Sequence, residues 1–244
     1  IEELYEKYNV RQFRINDDNF ILFKLRLKEI CQKIIDKKLD IKWSCFGRAS
    51  NADPDMLTLM KRAGCWQISY GVETGSQELH NLENKNLTLE QIETAIRLTK
   101  KAGIRTIGFT MIGHPKETIQ TIKDTIKFCK RLALDDFKMV YLTPYPSTPL
   151  YKEVEKYGTL NNDWRKMNAY TEPCFVPYGL TKEDLIKYRK LAYRQFYLRP
   201  KIILSYLLQI RRPVQLAVLF KGGFSLLNLF FKKPGLINNA RTNQ

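Results

Sequence analysis

The sequence has few features of a disulfide-bonded, metal-binding or membrane-spanning protein. Its five cysteines, at positions 31, 45, 65, 129 and 174, are odd in number and widely spaced. Neither a disulfide framework nor a CxxC metal site is indicated, and a reducing, cytoplasmic compartment is predicted. No apolar run reaches the roughly 18 charge-free residues of a spanning helix. Because the chain opens inside a helix-like run without a methionine or leader, we interpret it as a fragment.

Acidic residues are absent from one part of the chain. The stretch from Leu185 to Gln244 contains twelve lysines or arginines and no aspartate or glutamate, which leaves about +4 of the formal +16 for the first 184 residues. That balance is ordinary for a soluble domain. With 44% hydrophobic residues, the 244-residue chain is long enough to bury the core of one large α/β domain, or of one domain plus an extension.

The basic stretch also carries short apolar runs. Within residues 200–233, leucine-, phenylalanine- and tyrosine-rich segments have lysines or arginines at their borders. This pattern suits the headgroup region of an anionic membrane, which predicts contact with the inner face of the membrane. Docking on a partner domain is the alternative. RNA binding through neutralised phosphates is a third possibility, but the apolar content argues against nucleic acid.

A repeated strand-and-helix rhythm organises the remainder. Five strand-like runs are predicted at 11–16, 41–46, 66–72, 104–112 and 137–143. Each ends on a polar or glycine-rich motif and precedes a helix-like segment. Such repetition builds a parallel α/β sheet whose chemistry collects at the carboxyl ends of its strands.

Helix ends are marked by capping residues. Asp53 with Pro54 predicts a helix start, and Thr88 with Gln91 forms a capping-box pattern. Further helices are predicted at 22–38, 77–82, 117–132 and 181–198. The predicted organisation is a barrel part at 1–157, an aromatic linker with a helical cap at 158–199, and a basic, apolar helical tail at 200–244.

Five motifs in this order carry a family resemblance. They are Asn16-Asp17-Asp18-Asn19-Phe20, Lys42-Trp43-Ser44-Cys45-Phe46-Gly47-Arg48, Ala63-Gly64-Cys65-Trp66-Gln67-Ile68-Ser69-Tyr70-Gly71-Val72-Glu73-Thr74-Gly75-Ser76, Gly108-Phe109-Thr110-Met111-Ile112-Gly113-His114-Pro115 and Pro144-Tyr145-Pro146-Ser147-Thr148-Pro149-Leu150-Tyr151. Together they resemble the radical S-adenosylmethionine enzymes, especially the branch with cobalamin-binding domains that includes anaerobic cyclases and methyltransferases. The resemblance covers residues 1 to about 200. It implies α/β architecture: strands 2 to 6 of a partial (β/α)6 TIM-like barrel, with a C-terminal helical extension.

The resemblance also implies cofactors and an activity. These enzymes hold a 4Fe-4S cluster on a CxxxCxxC loop, which is absent here and is expected upstream of Ile1. The implied activity is reductive cleavage of S-adenosylmethionine to a 5′-deoxyadenosyl radical, or methyl transfer through cobalamin, with flavodoxin or ferredoxin as electron donor. A small, hydrophobic, anionic substrate is expected. A catalytically inactive barrel-derived binding protein and an RNA-modifying enzyme are the alternatives.

Cofactor-binding roles follow for residues at strand ends. Asp17 and Asp18 stand where the family binds the methionine amino group, although an Asx turn or helix cap is the structural alternative. Glu73 stands where an acid accepts hydrogen bonds from the ribose hydroxyls, and Thr74 begins a turn that approaches the cosubstrate or only caps the next helix. Arg48 is predicted to pair with the methionine carboxylate or a substrate acid, unless it is a surface cation.

The motif after the fourth strand contains both matches and departures. Gly108 and Gly113 stand where the family packs backbone against adenine, although a strand glycine also marks close packing. His114 replaces an aliphatic residue, and Lys116 replaces a glycine. A histidine there serves as an acid or base near the substrate, or is a solvated loop residue. Ser147, in the next motif, also stands where the family often has glycine.

Overall fold

Five parallel strands form the centre of the protein in the computed structural model, which describes residues 1–83 and 85–208. The strands are β1 (Gln12–Ile15), β2 (Lys42–Gly47), β3 (Cys65–Glu73), β4 (Arg105–Ile112) and β5 (Asp136–Tyr141). They lie side by side in chain order, and every neighbouring pair is parallel. The predicted parallel α/β sheet is therefore confirmed, and its carboxyl ends share one edge.

Helices precede, connect and follow the strands of the sheet along the chain. They are α1 (Glu2–Tyr8), α2 (Lys24–Asp36), α3 (Pro54–Arg62), α4 (Gln77–Leu82), α5 (Leu89–Lys101), α6 (Ile119–Arg131), α7 (Pro149–Glu153), α8 (Lys182–Tyr197) and α9 (Pro200–Leu207). Helices α2 to α6 connect successive strands of the sheet, whereas α1 precedes it and α7, α8 and α9 follow it. The two predicted caps are present. Asp53 accepts hydrogen bonds from the amides of Asp55 and Met56, and Thr88 forms a reciprocal capping box with Gln91.

Large side chains pack between the sheet and the helices. Trp43, Tyr70 and Phe137 are each at most 1% exposed. The Trp43 indole donates to the Ala63 carbonyl at 2.7 Å, and the Tyr70 hydroxyl lies 2.8 Å from Thr99 of α5. Because side chains alternate along a strand, the neighbours of Tyr70 point to the opposite face of the sheet.

Two short strands follow the main sheet. β6 (Gly158–Leu160) and β7 (Phe175–Pro177) pair antiparallel within the segment that the sequence predicted only as an aromatic linker. Three-residue strands are too short to show an alternating pattern. Arg189 of α8 donates to the carbonyls of Met139 and Tyr170, which ties this segment to the edge of β5.

The chain divides into two compact units, the first spanning Ile1–Phe196. The second begins at Tyr197 and is described only to Leu208, so most of the predicted tail at 200–244 lies outside the described residues. None of the helices described up to that point is long and apolar enough to cross a membrane. Contact of the tail with a membrane stays a prediction.

Candidate functional site

Glu73 ends β3 in an unusual backbone conformation. Its φ is 58°, in the left-handed region, and the β3–β4 register skips one residue between Gly71 and Glu73. The carboxylate folds back over Gly71, where a Cβ would stand only 2.6 Å from Glu73 Oε1. Strained backbone of this kind costs of the order of 1–3 kcal/mol and clusters at ligand sites. The irregularity turns this acid along the carboxyl edge of the sheet.

A continuous set of polar contacts joins Glu73 to the ends of β1 and β2. Lys85 Nζ lies 3.6 Å from Glu73 Oε1, and the Arg48 guanidinium donates to the Lys85 carbonyl. The Arg48 amide donates to Asn19 Oδ1 at 3.0 Å. Arg48 and Glu73 thus lie on one polar rim, as predicted for groups at strand ends. Lys85 was not predicted, because its segment shows no strand-end pattern.

The two acids after β1 are placed differently. Asp17 forms an ion pair with Arg26 of α2 at 3.0 Å and accepts the Asn19 amide at 3.0 Å, which is an Asx turn. Asp18 is exposed. Asp17 therefore forms the Asx turn that was the alternative to a cofactor-binding role. Its link to the polar rim is its hydrogen bond with Asn19.

Thr74 and Gly75 face α6. Thr74 is fully buried, and its hydroxyl lies 3.1 Å from that of Thr125, which also accepts the Gly75 amide at 2.8 Å. Ser76 caps α4 through the Leu79 amide. Ser76, and not Thr74, therefore caps the next helix, α4. The Thr74 side chain packs against α6.

The two glycines of the fourth motif, Gly108 and Gly113, have different structural roles. Gly108 lies against Leu134, whose Cδ1 would be 2.6 Å from an added Cβ. Gly113 follows the strand with φ of +95°, a conformation that favours glycine. Gly108 therefore provides close packing on the helix-facing side, and Gly113 starts the turn at the rim.

Both histidines of the chain lie in one buried cluster with two glutamates. His114 is fully buried, and its Nδ1 is paired with Glu83 Oε1. Glu117 accepts the backbone amides of Gly113 and His114 through Oε2. His80 is likewise fully buried. The solvated-loop alternative for His114 is wrong, because a carboxylate 31 positions earlier in the chain pairs with it.

Charges within this cluster shift its pKa values. Burial lowers the pKa of His114, but its hydrogen bond to Glu83 and the surrounding carboxylates outweigh burial, so the pKa is raised. Burial raises the pKa of Glu83, but His114 counteracts it and the pKa is lowered. Burial is the largest influence on Glu117 and raises its pKa. Burial lowers the pKa of His80. The two pKa shifts of the His114–Glu83 pair both favour the charged forms, an imidazolium facing a carboxylate.

A cavity of about 590 Å³, here called the rim cavity, opens beside this cluster. It is lined by Glu83, Lys85, Met111, Pro115, Lys116 and Leu142, among others. These residues come from the carboxyl ends of β4 and β5 and from the segment after α4. The cavity combines an apolar wall with charged groups, which is typical of small-molecule sites.

Two departures from the family motif have a common backbone feature. Lys116 has φ of 60° and Ser147 has φ of 70°, both in the left-handed region. Glycine adopts this conformation without steric cost. The glycines expected at these two positions therefore suit this backbone conformation. Lys116 and Ser147 adopt the same conformation with some strain.

The cysteines do not fit a 4Fe-4S cluster. All five are free and buried, and among the described residues no three histidine, cysteine or acidic side chains are arranged so that they could hold a metal ion. Burial raises the pKa of Cys31 to about 12, and a hydrogen bond to Cys65 together with burial raises that of Cys45. A cluster needs accessible thiolates. No step of the chemistry is therefore assigned to these thiols.

A parallel α/β sheet with polar groups along the carboxyl ends of its strands defines a barrel-type cofactor-binding protein. The chain belongs to the radical SAM superfamily, whose model matches residues 2–129. This confirms the resemblance carried by the five motifs.

Relatives in other organisms are named as enzymes. The chain is 32% identical over 213 residues to an uncharacterized methyltransferase of Pyrococcus horikoshii, covering 84% of this chain and 45% of the relative. It is 28% identical over 209 residues to the anaerobic magnesium-protoporphyrin IX monomethyl ester cyclase of Rubrivivax gelatinosus, covering 84% and 37%. The chain thus spans less than half the length of these relatives.

A solved structure confirms the fold. The cobalamin-dependent S-adenosylmethionine radical enzyme OxsB, with aqua-cobalamin and S-adenosylmethionine bound, superimposes with a TM-score of 0.64 at 16% identity. The match covers 93% of this chain and 40% of that protein. The five described strands therefore correspond to the radical SAM type of barrel-like sheet.

Proposed function

We propose that this chain is the part of a radical S-adenosylmethionine enzyme that binds S-adenosylmethionine at the carboxyl ends of β3, β4 and β5. The observation that carries this proposal is the Glu73 carboxylate, turned over Gly71 by left-handed backbone at the end of a strand. A carboxylate offers two oxygens and accepts hydrogen bonds from both hydroxyls of a ribose. No other acid is built into the rim in this way among the residues described.

The neighbouring groups suit the rest of the same ligand. Met111, Pro115 and Leu142 give the rim cavity an apolar wall for a purine. Arg48, held by the Lys85 carbonyl, offers a guanidinium to the methionine carboxylate. The residues of this chain would bind and orient the cosubstrate, and the apolar wall would exclude water from it.

The remaining cofactors are proposed for the longer protein. S-Adenosylmethionine bound to a 4Fe-4S cluster supplies radical chemistry, and we place the cluster ligands outside residues 1–244, because the buried thiols do not fit. The relatives' names and the cobalamin in OxsB favour methyl transfer or cyclisation. We further propose a small, hydrophobic, anionic substrate and a ferredoxin or flavodoxin as electron donor.

Replacing Glu73 with glutamine is expected to weaken adenosine binding about tenfold to a hundredfold, because a charged acceptor facing two hydroxyls is lost. Isothermal titration calorimetry with the 244-residue chain measures this effect. Glu78→Gln, on the exposed side of α4, is the matched control and is expected to bind normally.

A ligand change tests the same contact from the other side. Wild-type protein is expected to bind 2′,3′-dideoxyadenosine more weakly than adenosine, whereas Glu73→Gln is expected to bind the two with nearly equal affinity. Equal affinities in the wild type would contradict the proposed ribose contact. Absence of any nucleoside binding would favour a barrel-derived protein without this cosubstrate.

Gly71→Ala is expected to reduce adenosine affinity by about tenfold while changing the free energy of unfolding by less than about 1 kcal/mol. The three heavy atoms nearest to the added Cβ all belong to the Glu73 side chain, whose carboxylate end is flexible. Calorimetry and urea unfolding of the same variant separate the two effects. A large loss of stability with normal affinity would contradict this role of Gly71.

A further inference from the structure

A row of two aromatic rings with a cation at each end crosses the sheet face opposite the helices. Arg14 of β1 lies over the ring of Phe46 in β2, with 4.9 Å from Cζ to the centroid. The Phe46 and Phe109 centroids are 5.9 Å apart, and Lys138 Nζ lies 5.5 Å from the Phe109 centroid. Two cations therefore flank a pair of rings contributed by four different strands.

Strand register explains how the rings meet. β3 runs between β2 and β4, and its Gly71 pairs with Phe109. Phe46 pairs with Ser69 of β3 and Phe109 pairs with Gly71, so both rings lie beside small residues of the intervening strand. Gly71 also leaves room for the Glu73 carboxylate.

A second cavity, here called the strand-face cavity, adjoins this row. It has a volume of about 300 Å³, and its lining includes Arg14, Phe109, Lys138, Trp66, Gln67 and Ser69. The lining contains two cations and no carboxylate. Within residues 1–83 and 85–208, no acidic side chain forms an ion pair with Arg14 or Lys138.

Trp66 also lines the strand-face cavity. Trp43 pairs with Cys65 and Ser44 with Gln67, so Trp66 is the extra residue of a register shift in β3. Shifts of this kind re-aim a side chain. The Trp66 indole N–H is buried and has no acceptor among the described residues. A buried donor without a partner is costly.

We propose that the strand-face cavity binds a planar, apolar small molecule that carries at least one carboxylate. The ring of Phe109, which packs against Phe46, contacts its flat body, and Arg14 and Lys138 neutralise its acid groups. Cations held over aromatic rings are positioned before the ligand arrives, which favours charge-assisted hydrogen bonds. The assignment of this molecule as a substrate rests on the proposed function, but its binding does not.

The test uses 1-pyrenebutyrate as a probe and 1-pyrenebutanol as its uncharged counterpart. Fluorescence titration of the 244-residue chain is expected to show about tenfold tighter binding of the acid. Arg14→Gln and Lys138→Gln are each expected to reduce this preference several-fold, and the double variant is expected to abolish it. Lys28→Gln and Arg62→Gln, exposed on α2 and α3, are matched controls and are expected to retain it.

Equal binding of the acid and the alcohol by wild-type protein would overturn the proposal, as would an undiminished preference in the double variant. Arg14 and Lys138 are exposed, so their substitution is expected to leave the unfolding midpoint unchanged, which circular dichroism checks. Adenosine titrations of the same variants keep the two proposals apart. In these variants, lost pyrenebutyrate selectivity with normal adenosine binding is the expected result. In wild-type protein, equal binding of the acid and the alcohol with normal adenosine binding would contradict this inference alone, and selective pyrenebutyrate binding without adenosine binding would contradict the rim site alone.

Discussion

Replacing Gly75 with alanine is expected to lower the free energy of unfolding by about 3 kcal/mol. An added Cβ would lie 2.6 Å from Thr125 Cα and 2.8 Å from the Asp124 carbonyl oxygen. Both are backbone atoms of α6 and cannot rotate away, so the helix must move. That movement would also break the hydrogen bond from the Gly75 amide to the Thr125 hydroxyl.

Urea unfolding followed by circular dichroism measures the loss of stability in Gly75→Ala. Gly179→Ala is the control, because Gly179 has φ of +85° but no atom within 4 Å of the added Cβ. This control is expected to lose only the backbone cost, about 1 kcal/mol. If Gly75→Ala and Gly179→Ala lost equal stability, the close approach of Gly75 to α6 would not be the cause of the destabilisation.

Replacing Glu83 with leucine is expected to destabilise the protein by about 3 kcal/mol at pH 6, because it leaves His114 buried without its carboxylate. The double variant Glu83→Leu with His114→Leu is expected to recover most of this loss, since an apolar pair replaces both charges. Urea unfolding of the wild type, both single variants and the double variant gives the coupling free energy. If the stability losses of the two single variants added up to the loss of the double variant, the interaction between His114 and Glu83 would contribute nothing to stability.

The same pair predicts a pH dependence. Folding raises the pKa of His114, so its contribution is complete below the ordinary value of 6.5 and is lost as pH rises through the folded pKa. His80 has a lowered pKa and acts in the opposite direction below 6.5. The stability advantage of wild type over the double variant is therefore expected to shrink from pH 6.5 upward. An advantage that grew with pH would contradict the raised pKa of His114.

Local signals in the sequence were sufficient for the elements of the fold. The five strands lie within a few residues of their predicted bounds, because apolar alternation is a property of neighbouring residues. Asp53, Thr88 and Ser76 cap their helices because capping depends on residues two or three positions away. The end of β3 at Glu73 was predictable because the apolar run stops at that position.

Side-chain direction at the strand ends was less predictable. Thr74 turns into the packing against α6, and Asp17 turns toward α2, although both follow strands in the sequence. The two register shifts in β3 change which face each residue occupies. Strict alternation therefore fails at Trp66, which lines the strand-face cavity, and at Glu73, which lies on the polar rim.

The sequence by itself determined the parallel sheet, the helix ends, the family motifs and the acid at the end of β3. Only the tertiary structure decided that His114 is buried against Glu83, and that Arg14, Phe46, Phe109 and Lys138 form one row. The physical reason is the range of the interactions. Caps and periodicity act within one turn or strand, whereas these contacts depend on strand register and on side chains far apart in the chain.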